Sequence, residues 1–169
     1  DAYLIINDNW KEFHNRHKTD DVALIAPLRI WSAIANNWRT NTFTYIEKLP
    51  TNDSWKSFVR GQIYAELGDT DKAAENFASV SPDFMNINDY MYLMSFYMHH
   101  DKQQEAENLR QVFTSRPGGM FLSDWDAFPD WSVYTGYKNA LAFSIIQSVS
   151  HTHILMYSDL AMLLLRFSQ

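Results

Sequence analysis

The histidines and carboxylates are the residues best suited to move protons or hold a metal, and their spacing limits that chemistry. His14 and His17 lie one helical turn apart, His99 and His100 are adjacent, and His151 and His153 straddle an expected helix start. A metal centre of the common kinds needs three or four donors at defined separations, and no carboxylate completes such a motif with any of these pairs. They read as surface or capping histidines. Asp20-Asp21 and Asp69/Asp71 stand where helices should begin, where a carboxylate accepts free N–H groups of the first turn. The sequence holds no glycine-rich phosphate loop, no Gly-x-Ser-x-Gly elbow and no His-Glu-x-x-His. Its lack of cysteine removes disulfides, thiol catalysis and cysteine-ligated metal, and suits both a reducing cytosol and an exported protein.

One acidic cluster remains. Asp124, Asp126 and Asp130 are interleaved with Phe121, Trp125, Phe128, Trp131, Tyr134 and Tyr137 in the connection 114–138, which opens on the turn Arg116-Pro117-Gly118-Gly119. Rings beside carboxylates can hold a sugar or a cationic ligand, and two carboxyls in unlike environments could serve as acid and base. The competing reading, favoured here, is a short helix around 131–137 that plugs one end of the fold. A connection this long between helices needs either a function or its own packing.

The elements that would position these residues are helices. No strand-like alternation of useful length appears, and apolar stripes at helical spacing predict eight or nine helices. At the ends, 3–17 carries Ile6, Trp10 and Phe13 on one side, while 139–149 and 154–167 form two more. Pro27 to Asn36 is expected as a helix with Pro27 in its first turn, followed by Thr42 to Lys48, closed by Pro50. Between them, Gly61, Tyr64, Leu67, Gly68, Ala73 and Phe77 have the order and spacing of one helical hairpin. Gly61 lets two helices approach where a Cβ would hold them apart, Gly68 suits a left-handed helix end, and Asp69 offers an N-cap for the next helix. Ala73 is small at the crossing, Phe77 fills the space beneath the next hairpin, and Pro82 stops the helix. Downstream, Ala74-Glu75-Asn76-Phe77 is echoed as Ala106-Glu107-Asn108-Leu109, a displacement of 32 residues. That register puts Leu93 at the position of Gly61 and His100 at that of Gly68.

This pattern resembles the tetratricopeptide (TPR) family, whose repeat is a pair of antiparallel helices. The resemblance implies an all-α fold: antiparallel hairpins stacked as a short right-handed solenoid, with units near 24–51, 54–82 and 86–117 and a C-terminal cap over 131–169, within one domain. The upstream unit lacks most of the small residues and is degenerate. Three units are about the minimum that buries a continuous core.

The resemblance also implies a surface. In the family the first helix of each hairpin lines a concave face, which carries over to Trp31 and Ile34, to Trp55, Phe58, Gln62 and Glu66, and to Tyr90, Met94, Tyr97 and Met98. Such a face is aromatic and methionine-rich, suited to an apolar or amphipathic peptide; the alternative is that the stripe is core. Some family members grip a C-terminal carboxylate with Lys, Arg and Asn, and those places here hold aromatic and aliphatic residues. The expected function is a non-catalytic protein-binding module of adaptor, chaperone or regulator type. The alternative is a helical part of an enzyme or ligand-binding protein that uses 114–138.

Composition sets the remaining bounds. The chain has 169 residues, 46% of them hydrophobic, enough for a real core. Its net charge of −6, with no basic run longer than two residues, argues against a nucleic-acid partner. No cofactor or metal is implied. The chain begins at Asp1 without a signal-peptide pattern, as expected of a processed protein or a domain of a larger one. The segment 154–167 is apolar nearly all round yet too short to span a bilayer. It should be buried within its own domain, in a partner's groove or against a continuation of the chain; self-association through it is the further expectation.

Overall fold

Hydrophobic residues recurring every third or fourth position leave little choice but amphipathic helices, and the computed structural model describes residues 21–35, 37, 39–116 and 128–151. Seven α-helices and two 3₁₀ turns make up the secondary structure of those residues, with no strand among them. In chain order they are α1 (Asp21–Ala35), α2 (Arg39–Lys48), α3 (Asp53–Glu66), α4 (Thr70–Ala78), α5 (Ile87–His99), α6 (Gln103–Thr114) and α7 (Tyr137–His151). The 3₁₀ turns are Pro82–Phe84 and Trp131–Val133. The expected helices over 3–17 and 154–167 lie outside the described residues, as do Asp124 and Asp126.

The expected single domain divides into two compact units, one spanning Asp53–Thr135 and the other formed by the chain on either side of it. In the flanking unit α1 packs against both α2 and α7. Ile30, Trp31, Ala33, Ile34, Ile46, Ala140, Phe143 and Ile145 are buried there. The indole Nε1 of Trp31 donates to Ser144 Oγ at 2.7 Å, which satisfies a buried N–H across 113 residues of sequence. Pro27 is not in the first turn as the sequence suggests: it lies well inside α1, which already runs from Asp21. The helix carries on through it, although proline removes one ladder hydrogen bond.

The central unit is two successive hairpins, α3–α4 and α5–α6. Gly61 in α3 has Phe77 of α4 directly over it, and a Cβ there would collide with the phenyl ring. Phe77 then reaches on to Phe58 and, in the next hairpin, to Tyr92 and Phe96, with ring centroids 5.0–5.9 Å apart. Capping follows the expected logic. Asp69 accepts from Lys72 N at the start of α4, and Asn86 with Asp89 forms a reciprocal capping box at the start of α5.

The two hairpin turns are built alike. Asp69 N donates to Tyr64 O, and Lys102 N donates to Tyr97 O, each at 2.9 Å. Leu67 N to Ile63 O and His100 N to Phe96 O form a second matching pair. The left-handed residue is Gly68 (φ 77°) in the first turn and Asp101 (φ 56°) in the second. The step is therefore 33 residues, one more than the echo of Ala-Glu-Asn indicates. Asp101 takes the place of the turn glycine, rather than His100, and Met94 that of Gly61, rather than Leu93. Asparagine and aspartate are the non-glycine residues that best tolerate this conformation, which explains how the second turn dispenses with glycine. Lys102 Nζ also reaches Asp71 at 3.0 Å, joining the two turns by an ion pair on the surface.

Candidate functional site

The residues expected to line a groove are for the most part interior. Trp31, Ile34, Trp55, Phe58, Gln62, Tyr90, Met94 and Tyr97 are buried; Glu66 is half-buried, and Met98, at 54%, is the exposed one. Their neighbours explain it. Tyr90 stacks on Phe113 of α6 at 4.4 Å, and Phe58 lies between Phe77 and Tyr92. These rings hold the central unit's helices together, and burial raises the hydroxyl pKa of Tyr97 and Tyr90 above the ordinary value. The Tyr90 hydroxyl is enclosed without a hydrogen-bond partner.

A different face of α5 carries an aromatic cluster of which only His99 is exposed. Tyr92, Ser95, Phe96, His99 and His100 recur at three- and four-residue intervals and so share one side of the helix. Across them lies the segment Phe128–Tyr134. Pro129 presents its carbonyl to Ser95 Oγ at 2.8 Å. Trp131, only 6% exposed, sits edge-on against Tyr92 (5.1 Å), Phe96 (5.3 Å) and His100 (5.9 Å), with His99 beyond at 6.4 Å. Tyr134 completes the box on Tyr92 at 5.0 Å, and Phe128 meets Tyr90 at 5.9 Å. The expected plug at 131–137 is thus a single 3₁₀ turn followed by α7, with Trp131 as its anchor. Val133 is exposed on the same 3₁₀ turn, while the exposed Met98 lies on the other stripe of α5, one turn from Met94.

Hydrogen bonds from Ser132, first from its side chain and then from its backbone N–H, which reaches Asp130 Oδ1 at 2.8 Å, hold the Asp130 carboxylate below the usual carboxylate range. It is an ionised cap on its own turn and not a proton donor. His99 and His100 meet edge to face at 4.8 Å. Burial, then His99 and Lys102, push the imidazole of His100 below its ordinary value, with Asp101 acting the other way. Among the described residues no three His, Asp or Glu side chains gather as a metal site, and no helix is long and apolar enough to cross a membrane. Sequence reasoning missed Tyr92, Ser95, Phe96, His99 and His100 as one face. Their spacing was a signal, but it competed with an equally regular stripe on the other side of α5.

No protein-family model matches this chain, and no curated protein or solved structure matches it.

Proposed function

We propose that this chain is a non-catalytic protein–protein interaction module, built from TPR-like hairpins, that binds an apolar or amphipathic protein segment. The observation that carries the reading is the repeated turn. Gly68 and Asp101 sit in matching hydrogen-bonded turns, and Phe77 passes from the first hairpin into the second. Repetition of one hairpin extends a surface without assembling a catalytic cleft, which suits binding better than turnover. In this reading the side of α5 that carries Tyr92, Phe96, His99 and His100 is the docking face, because its rings supply flat apolar contacts and His99 is its exposed member.

The test is a pull-down from the native source, with wild type beside His99→Glu. His99 is exposed, so the substitution leaves the core intact. A protein segment retained by wild type and lost by the variant, then reproduced with the purified partner, is the expected result. Equal retention by both would move the docking surface away from α5.

A further inference from the structure

The segment Phe128–Tyr134 has the features of a bound peptide. Its backbone is irregular apart from one 3₁₀ turn, it crosses a helix, and Ser95 Oγ donates to its Pro129 carbonyl. One side chain, Trp131, is driven into a box of rings, while the adjacent Asp130 stays at the surface and caps the turn that presents the indole. A turn that carries its own cap can form wherever the same few residues occur together.

From this we infer that 128–134 is a built-in competitor: it seats Trp131 on the α5 face, and a partner binds by displacing it with a segment of like chemistry, aromatic–proline–acid–tryptophan. The inference rests on the proposed docking role of α5 and adds the occupant and its mode of entry. Displacement has a physical opening. His100, which packs on the indole, has a buried Nε2 with no hydrogen-bond partner while the strap is seated. A partner segment that offers a hydrogen-bonding group to that nitrogen makes a bond that the strap leaves unmade. The strap holds its seat because it is tethered, which gives it a high effective concentration at the site. Gly136, with φ 83°, lies two residues beyond its end.

The test uses the full chain and, as probe, a fluorescently labelled peptide with the sequence of residues 126–136, read by anisotropy. With the strap seated, wild type should bind the probe at least about tenfold more weakly than Trp131→Ala, whose own strap has lost its anchor. A probe carrying alanine in place of its tryptophan should bind neither chain. Circular dichroism first establishes that Trp131→Ala is folded. Should it not be, Asp130→Ala takes its place: the residue is exposed, and its loss weakens only the strap's turn, so a severalfold gain in probe binding is expected. A folded variant that binds the probe no better than wild type overturns the inference, as does equal binding of the alanine probe. A partner captured through His99 whose affinity is indifferent to Trp131→Ala also overturns it, and leaves the docking role of α5 standing.

Discussion

At the scale of single residues, three side chains should report most clearly on the packing. Gly61→Ala gains helix propensity of up to about 1 kcal/mol, but its Cβ meets a phenyl ring wedged among Phe58, Tyr92 and Phe96, which leaves nowhere to retreat. Overpacking of that kind costs about 1–3 kcal/mol, so the variant should unfold at lower urea than wild type. Ser144→Ala strands the buried indole N–H of Trp31 and should cost about 1–3 kcal/mol by the same measurement. Tyr90→Phe should do the reverse, with no loss and a gain of up to about 1 kcal/mol, since the hydroxyl it removes is enclosed and unbonded. The role of Gly61 was legible in the sequence because a close helix crossing forbids a Cβ whatever surrounds it. For the stripe carried over as a groove, the sequence left groove and core both open. Periodicity says which residues share a side of α5, and nothing in Tyr90, Met94 or Tyr97 says that α6 and its neighbours cover that side.

At the scale of elements, the ends of helices and the strap govern behaviour. His100 closes α5 and touches Phe96 and the indole of Trp131. His99, Asp101 and Lys102 face it from its own hairpin, and Asp130 lies beside His99 on the strap. The native state favours the neutral imidazole, whereas the unfolded chain takes up a proton at the ordinary value of 6.5. The contribution of His100 to stability is therefore complete above that value, falls as the pH drops from it through the depressed native value, and is level below. Urea midpoints compared at about pH 7.5 and about pH 5 should fall more for wild type than for His100→Phe. The helices themselves were readable from stripes and caps, as Asp69 shows. The repeat step was misread by one residue because Ala-Glu-Asn lies inside the helices, where α4 buries two successive alanines, Ala73 and Ala74, and either can be matched to the buried Ala106. The turn, fixed by backbone hydrogen bonds, sets the true register.

At the scale of the molecule, the all-helical class was legible and the partition of the chain was not. The stripe of α1 shows that it needs a partner, but only the structure shows α7 supplying one from the far end of the sequence, through Trp31 and Ser144. Contacts of such long separation leave no local trace. The central unit, by contrast, is continuous in sequence from Asp53 to Thr135 and includes its own strap. This continuity allows α5 to be offered or covered by a movement within one unit. The most direct test of its role is photo-crosslinking in the native source, with a benzophenone side chain placed at the exposed position 99 of α5 and, as control, at the exposed position 107 on α6. A discrete polypeptide adduct is expected from position 99 that is absent from position 107. Adducts that are the same at both positions, or none at position 99, would contradict a docking face on α5.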